Sequence, residues 1–200
     1  MQRAIFLFSQ DPAWSTVFYA SYGAWALMEI TILMRDARGA KGEARDAGSR
    51  FAFMTLIPAG LFGAWAAPFY WPMARIALPP RETFYTAIAL IWLGMALRLW
   101  SVMTLGRFFR TRVFIHDDHM LVTTGPYRFL RHPSYTGGVI SLTGVGLGLG
   151  NWFSVLAAGG GILLACAIRI LVEEKSLAER FGDEFAAHKK RTWAILPFIW

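Results

Sequence analysis

The sequence has few charged residues for its length. Charged side chains make up 16% of the 200 residues, whereas soluble globular domains carry about 25%. Hydrophobic residues make up 56%, so much of the protein surface must face something other than water. The single cysteine, Cys166, excludes a disulfide within the chain. These shortages argue against a soluble domain and against a disulfide-stabilised one.

Recognisable motifs of soluble enzymes are also missing. There is no Walker loop, no dinucleotide-binding glycine fingerprint, no nucleophile elbow and no H-E-x-x-H or paired C-x-x-C metal motif. His116, Asp117 and Asp118 are interpreted as solvated loop residues, and no metal site is predicted. The net charge is +7, but the basic residues flank apolar runs, as in membrane proteins that contact anionic lipid. Nucleic acid is therefore not an expected partner.

Five apolar runs dominate the chain. About 20 apolar residues are needed for a helix to cross the roughly 30 Å of hydrocarbon in a bilayer. Runs that reach or approach this length are Trp14 to Met34, Phe51 to Tyr70, Phe84 to Leu105, Ser134 to Gly150 and Trp152 to Leu171. The sequence therefore predicts an all-α integral membrane protein with five transmembrane helices.

The fourth run is short and rich in glycine. Gly144 with Gly148, and Gly146 with Gly150, form G-x-x-x-G pairs, which let helices approach closely in lipid. These pairs and the glycines at 159–161 predict close packing of the fourth helix on the fifth. Asn151 between the two runs predicts a tight helical hairpin.

Basic residues are distributed unevenly between the predicted loops. If five helices alternate across the membrane, fifteen Lys and Arg fall on one side, and only Arg3, Arg75 and Arg81 fall on the other. Because the cytoplasmic side carries the excess of positive charge, we expect the N-terminus outside and the C-terminus in the cytoplasm. The compact chain favours the inner membrane of a bacterium or archaeon.

The tail after the fifth run has a different pattern. Between Val172 and Lys190, the side chains of Leu177, Phe181 and Phe185 recur every four residues among charged ones. This spacing predicts an amphipathic helix on the cytoplasmic face.

Two groups of polar residues near the last two runs are candidates for chemistry. Arg169 and Glu173 are four residues apart and share one helix face, at a membrane depth where ionisable groups are costly and usually functional. A snorkelling arginine that pairs with a glutamate explains them equally well. Arg131 and His132 precede Pro133 at the start of the fourth helix, where an N-terminal end attracts carboxylates, but a capped structural loop is nearly as good an explanation.

Taken in order, the polar groups resemble the isoprenylcysteine carboxyl methyltransferase family of membrane enzymes, and membrane phospholipid methyltransferases share part of the pattern. The pieces are L-V-T-x-G-P-Y at 121–127, R-H-P-x-Y-x-G at 131–137, R-x-x-x-E-E-x-x-L at 169–177, F-G-x-E-F at 181–185 and L-P at 196–197. All lie in the C-terminal half. Residues 106–200 are therefore expected to be the cofactor-binding catalytic half, and residues 1–105 a three-helix membrane scaffold.

The resemblance implies a methyltransferase that uses S-adenosylmethionine and acts on a lipophilic small-molecule or lipidated acceptor, in contact with membrane lipids. It implies that Arg169 and Glu173 are catalytic and that Arg169 binds the acceptor, most simply through a carboxylate. The implied cofactor pocket is lined by His119, Met120, Leu121, Val122, Tyr127, His132, Pro133, Ser134, Tyr135 and Glu173.

Other functions stay open at this point. The acceptor is alternatively a phospholipid amine or a small thiol. A membrane sterol-type reductase that uses NADPH has a similar C-terminal end, and a non-catalytic transporter or scaffold is a further alternative, although no internal repeat supports a transporter. Arg98, inside the third run, either lines the acceptor cavity or snorkels to the membrane surface. The sequence leaves the oligomeric state open.

Overall fold

The computed structural model describes residues 5–39, 48–106, 109 and 121–196. This part of the chain folds into five long helices, which are α1 (Pro12–Gly39), α2 (Ser49–Tyr70), α3 (Pro80–Leu105), α4 (Pro133–Leu149) and α5 (Trp152–Lys189). Single 3-10 turns at Phe8–Gln10, Pro72–Ala74 and Gly125–Arg128 connect or precede them.

The predicted all-helical membrane architecture is confirmed, with a difference at α4. Helices α1, α2, α3 and α5 are long and apolar enough to cross a membrane. Helix α4 has 17 residues, so it is only about 25 Å long at 1.5 Å per residue. Twelve of those residues are buried. Four helices are thus candidate spans, and α4 is an inner helix enclosed by the others.

Glycines allow α3 and α4 to pack backbone against backbone. The most extensive helix contacts are those of α4 with α3 and of α2 with α5. A Cβ atom on Gly137 would lie 2.6 Å from the carbonyl oxygen of Gly94, and one on Gly144 would lie 2.7 Å from that of Ala87. Neither position has room for a side chain.

The predicted role of the G-x-x-x-G pairs needs correction. Gly144 faces α3, Gly148 faces the ring of Phe18 in α1, and Gly146 faces α5. The pairs do not form one interface because α4 is surrounded by helices, and each small residue meets a different neighbour. In α5, Gly159 faces α4, but Gly161 faces α2 at Gly60.

The tight hairpin between α4 and α5 is confirmed. Gly150 ends α4 with φ of 78°, in the left-handed region that glycine tolerates. The Asn151 side chain accepts a hydrogen bond from the backbone N–H of Phe153 at 2.9 Å, which caps α5. Its amide nitrogen donates to the carbonyl of Trp71 at 2.8 Å, which ties the hairpin turn to the end of α2.

The predicted amphipathic tail is a continuation of α5 and bends at Gly182, where φ is 48°. A straight helix would place residues 174 and 189 about 22 Å apart. The bend instead brings Lys189 Nζ to 2.6 Å from Glu174 Oε2. The predicted amphipathic helix is therefore present as the last part of α5, and Gly182 lets the chain bend there and form this ion pair.

Candidate functional site

The segment before α4 is fixed by hydrogen bonds to the C-terminal end of the described chain. The backbone N–H groups of Arg131 and His132 donate to the carbonyls of Trp193 and Ala194 at 2.8 and 3.0 Å. Pro133 then begins the helix, as expected for a residue without an N–H group. These contacts hold the start of α4 against the segment that follows α5.

A tyrosine links the two predicted catalytic residues. Arg169 Nε donates a hydrogen bond to the hydroxyl oxygen of Tyr135 at 3.0 Å. That hydroxyl donates to Glu173 Oε2 at 2.8 Å. Arg169 is 3% exposed, whereas the Glu173 side chain is 32% exposed. The arrangement therefore runs from a buried cation to a carboxylate that opens to the outside of the bundle.

His132 lies beside this chain of hydrogen bonds. Its ring stacks on Tyr135 with 5.5 Å between the ring centroids, and its Nδ1 atom is 3.9 Å from Glu173 Oε2. Its buried Nε2 atom is 3.4 Å from Glu174 Oε1, with a geometry outside that of a hydrogen bond. Each ring nitrogen of His132 thus lies within 4 Å of a carboxylate oxygen.

Glu174, next to the proposed catalytic Glu173, has structural partners. Arg131 Nε donates to Glu174 Oε1 at 2.6 Å, and Lys189 binds the other carboxylate oxygen. Arg131 also bonds the carbonyl of Thr192. Glu174 and Arg131 therefore fasten the end of α5 around the site, and neither is directed at the hydroxyl of Tyr135.

Helix α2 adds two residues that the sequence did not identify. Arg169 Nη1 donates to the buried hydroxyl of Ser49 at 3.2 Å. The guanidinium carbon of Arg169 also lies 5.8 Å from the centre of the Phe53 ring, within the range of a cation–π contact. Ser49 begins α2 and carries no motif, so sequence reasoning had no signal for it.

An ion pair next to the first turn of α4 was predicted only in part. Arg98 in α3 binds both carboxylate oxygens of Glu29 in α1, with Nη2 at 2.7 Å from Oε2. Arg98 was singled out in the sequence, but Glu29 was not. An acidic residue within the apolar run of α1 was itself a signal, because ionisable groups inside membrane spans are usually functional.

The structure brings together His132, Tyr135, Arg169 and Glu173 from the predicted site. The Tyr127 hydroxyl points to α3, 3.5 Å from the carbonyl of Ser101. The pKa of Tyr127 is raised well above its usual range, first by burial and then by the charge of Glu173. Tyr127 is therefore a neutral phenol near the same carboxylate.

The remaining predicted site residues differ in burial. Leu121 and Val122 are half-buried, whereas Pro133 and Ser134 are buried in the first turn of α4. His119 and Met120 lie outside the described residues, as do His116, Asp117 and Asp118. Within the described ranges, no three His, Cys, Asp or Glu side chains are close enough to hold a metal ion.

Comparison with known proteins identifies the family. Residues 83–184, just over half of the chain, match the phospholipid methyltransferase family. The chain belongs to this family. The match begins within α3 and ends two residues beyond the bend in α5.

Several proteins similar to this chain are isoprenylcysteine methyltransferases. The probable protein-S-isoprenylcysteine O-methyltransferase of Oryza sativa subsp. indica is 34% identical over 117 residues, which are 58% of this chain and 61% of the relative. The protein-S-isoprenylcysteine O-methyltransferase of Schizosaccharomyces pombe is 34% identical over 57% of this chain and 49% of its own length. That of Dictyostelium discoideum is 26% identical over 98% of this chain and 82% of its own. The resemblance seen in the motifs is confirmed.

A solved structure shares the fold. The eukaryotic intramembrane Ras methyltransferase, an isoprenylcysteine carboxyl methyltransferase, superimposes with a TM-score of 0.59 at 24% identity, over 74% of this chain and 52% of that one. The match to the Oryza sativa protein covers less than two thirds of that relative. The relatives named here are eukaryotic, so they give no support to the predicted bacterial or archaeal source.

Proposed function

We propose that this protein is an integral membrane methyltransferase that uses S-adenosylmethionine to methylate the carboxylate of a lipophilic acceptor of the isoprenylcysteine type. The observation that carries the proposal is the buried guanidinium of Arg169, joined through Tyr135 to the partly exposed carboxylate of Glu173. A buried cation suits an anionic acceptor, and an adjacent exposed carboxylate suits the ammonium group or hydroxyls of a polar cofactor.

The residues around Glu173 fit the chemistry of S-adenosylmethionine. Glu173 accepts hydrogen bonds from an ammonium group or hydroxyls, and Tyr135 and His132 present a flat aromatic stack beside it. The rest of the proposed pocket consists of His119, Met120, Leu121, Val122, Tyr127, Pro133 and Ser134. When bound, the cofactor supplies a methyl group on a sulfonium cation, which is already activated for displacement.

The protein's own part in methyl transfer is to bind, orient and exclude water. A carboxylate acceptor is ionised at neutral pH, so it needs no general base. Arg169 would hold the acceptor carboxylate through parallel N–H groups, and the burial of Arg169 keeps water from competing for the acceptor. Tyr135 and Ser49 keep the guanidinium in place from α4 and α2.

The two ligands require different entrances. With the N-terminus outside and the C-terminus in the cytoplasm, the site opens to the cytoplasm, where a polar cofactor is available. The lipophilic acceptor enters sideways from the lipid, between helices. In this scheme residues 1–105 are the membrane scaffold and residues 106–200 the cofactor-binding half.

A phospholipid amine is the second candidate acceptor, since the matching family is that of the phospholipid methyltransferases. An amine must lose a proton before or during methyl transfer, so a general base is required. Glu173 is then the candidate base, because it is more exposed than Glu174 and is free of the Arg131 and Lys189 pairs.

Methylation assays separate these candidates. The purified protein in lipid vesicles is given radiolabelled S-adenosylmethionine and one acceptor, which is a prenylated cysteine, phosphatidylethanolamine or a lipophilic thiol. We expect the prenylated cysteine to be methylated. Arg169→Gln should raise the KM for this acceptor about a hundredfold, because lost charge-assisted hydrogen bonds cost ~3 kcal/mol, and should change S-adenosylhomocysteine binding little.

A matched change at the other end of the bundle is the control. Arg81→Gln, in the first turn of α3, should leave the KM for the prenylated cysteine and the KM for S-adenosylmethionine unchanged. Methylation of phosphatidylethanolamine alone would establish the second candidate. Binding of NADPH without binding of S-adenosylhomocysteine would overturn both and support a reductase.

A further inference from the structure

Glu29 and Arg98 form an ion pair between two membrane-spanning helices. Arg98 binds both carboxylate oxygens of Glu29, and the side chains are only 13% and 21% exposed. Charges within a membrane are costly and mark functional sites. Replacing a buried ion pair with well-packed apolar residues is often neutral or stabilising. Stability is therefore a weak reason for this pair.

Arg98 has a third partner, Ser134 in the first turn of α4. Arg98 Nη1 donates to the Ser134 hydroxyl oxygen at 2.9 Å and to the Ser134 carbonyl at 3.2 Å. Glu29 binds the opposite part of the same guanidinium, so its direction is set from α1. Three helices thus meet at one side chain, directly before Tyr135.

These contacts determine what the Ser134 hydroxyl can do. Its oxygen accepts from Arg98, so its own proton must point away from the guanidinium. Within the described ranges, no acceptor for that proton is found, and Ser134 is 5% exposed. A buried hydroxyl that accepts from a cation and keeps its proton free is a prepared hydrogen-bond donor.

We propose that Glu29 and Arg98 are positioning residues that hold the Ser134 hydroxyl as a hydrogen-bond donor to the bound methyl donor. The inference rests on the proposed function, which puts Ser134 in the cofactor pocket. It extends the site to α1, outside the matched residues 83–184. The chemical group that Ser134 would meet is an oxygen acceptor, such as the carboxylate or a hydroxyl of the cofactor.

Binding of S-adenosylhomocysteine, measured by calorimetry on the full chain in detergent, tests the proposal. The double variant Glu29→Leu/Arg98→Met removes both charges and keeps apolar volume. We expect it to melt at or above the wild-type temperature and to bind the probe about fivefold to tenfold more weakly, as for one lost hydrogen bond. Ser134→Ala should weaken binding by a similar factor in the wild-type protein.

Combining the changes gives the decisive comparison. If Arg98 acts through Ser134, adding Ser134→Ala to the double variant should weaken binding by less than twofold, because the two effects are coupled. Ser21→Ala is the matched control. It removes a different side-chain hydrogen bond between α1 and α3, from Trp92 at 3.1 Å, and should leave probe affinity unchanged.

Failure of the inference is distinguishable from failure of the proposed function. A wild-type protein that binds no S-adenosylhomocysteine overturns both. A wild-type protein that binds it, with a double variant of equal affinity or with fully additive effects of Ser134→Ala, overturns only the positioning role. A double variant that fails to fold while Arg98→Lys binds the probe normally would show that the pair is structural.

Discussion

The hydroxyl of Tyr135 lies between the side chains of Arg169 and Glu173. It accepts a hydrogen bond from Arg169 and donates one to Glu173. It therefore holds a partly exposed carboxylate in a fixed position relative to a buried cation. A phenol does this well because it is a donor and an acceptor at once and carries no charge into the bundle. The ring also stacks on His132, and this contact restricts the position of the hydroxyl.

Removal of that hydroxyl should impair catalysis more than folding. Tyr135→Phe keeps the ring contacts but deprives Arg169 and Glu173 of their shared partner, so we expect kcat/KM for methyl transfer to fall roughly tenfold to hundredfold, as for loss of one charge-assisted hydrogen bond. Steady-state assays with the prenylated cysteine acceptor measure this. Tyr85→Phe, at the exposed outer part of α3, should have no effect. Equal activities of the two variants would contradict the role of Tyr135.

Among the helices, α4 depends most on small residues. It is shorter than a typical membrane span, and its neighbours approach its backbone from several sides. In lipid such packing replaces the hydrophobic effect as the source of helix association. Its site-forming first turn therefore takes its position from α3 and from the C-terminal segment.

A methyl group at this interface should destabilise the bundle. In Gly137→Ala the new Cβ would lie 2.6 Å from the carbonyl of Gly94, and overpacking of this kind costs about 1–3 kcal/mol. We expect the melting temperature in detergent to fall by roughly 3–10 °C. Gly160→Ala is the matched control, since a Cβ there meets no atom within 4 Å. A fall of the same size in both variants would rule out the close α3–α4 contact as the cause.

The bend in α5 should be sensitive to any side chain at Gly182. Alanine is strained at a φ of 48° and a ψ of −119°, because residues with a Cβ rarely adopt this conformation, which costs about 1–3 kcal/mol, so Gly182→Ala should favour a straight helix. The ion pair of Lys189 with Glu174 would then be lost, and with it the contacts that hold Arg131 and the start of α4. We expect weaker S-adenosylhomocysteine binding by calorimetry. Gly23→Ala, in open space on α1, should bind the probe normally.

Over the whole molecule, the two ends of the bundle differ in chemistry. The polar hydrogen-bonded site lies where α4 begins, and the opposite end is closed by aromatic residues and by the α4–α5 turn at Asn151. Among the residues that the structure describes, most Lys and Arg lie at the end of the bundle that holds the site. This asymmetry is what the proposed orientation in the membrane rests on.

Labelling in intact cells tests that orientation. After Cys166→Ala, the only thiol is one introduced at Met73 or at Glu179, both exposed and on opposite ends of the bundle. A membrane-impermeant maleimide should modify Met73→Cys from outside the cell, and Glu179→Cys only after the membrane is permeabilised. The reverse result would place the site outside and would contradict the positive-inside assignment.

The sequence by itself determined the membrane class, the approximate bounds of the five helices, the α4–α5 hairpin and the position of Arg169 and Glu173 on one helix face. These features depend on local properties, namely the length of apolar runs, turn chemistry at Gly150 and Asn151, and spacing along one helix. The bend at Gly182 is also local, but a regular four-residue pattern concealed it, since periodicity does not report which glycine adopts a positive φ.

Only the tertiary structure decided which distant side chains meet. Glu29 and Arg98 are 69 residues apart, and Ser49 and Arg169 are 120 apart. No pattern along the chain specifies such pairs, because they depend on how each helix is rotated toward its neighbours. Close glycine contacts limit that rotation. Gly146 and Gly159 join α4 to α5 as predicted, whereas Gly144 faces α3 and Gly161 faces α2, which the spacing alone did not predict.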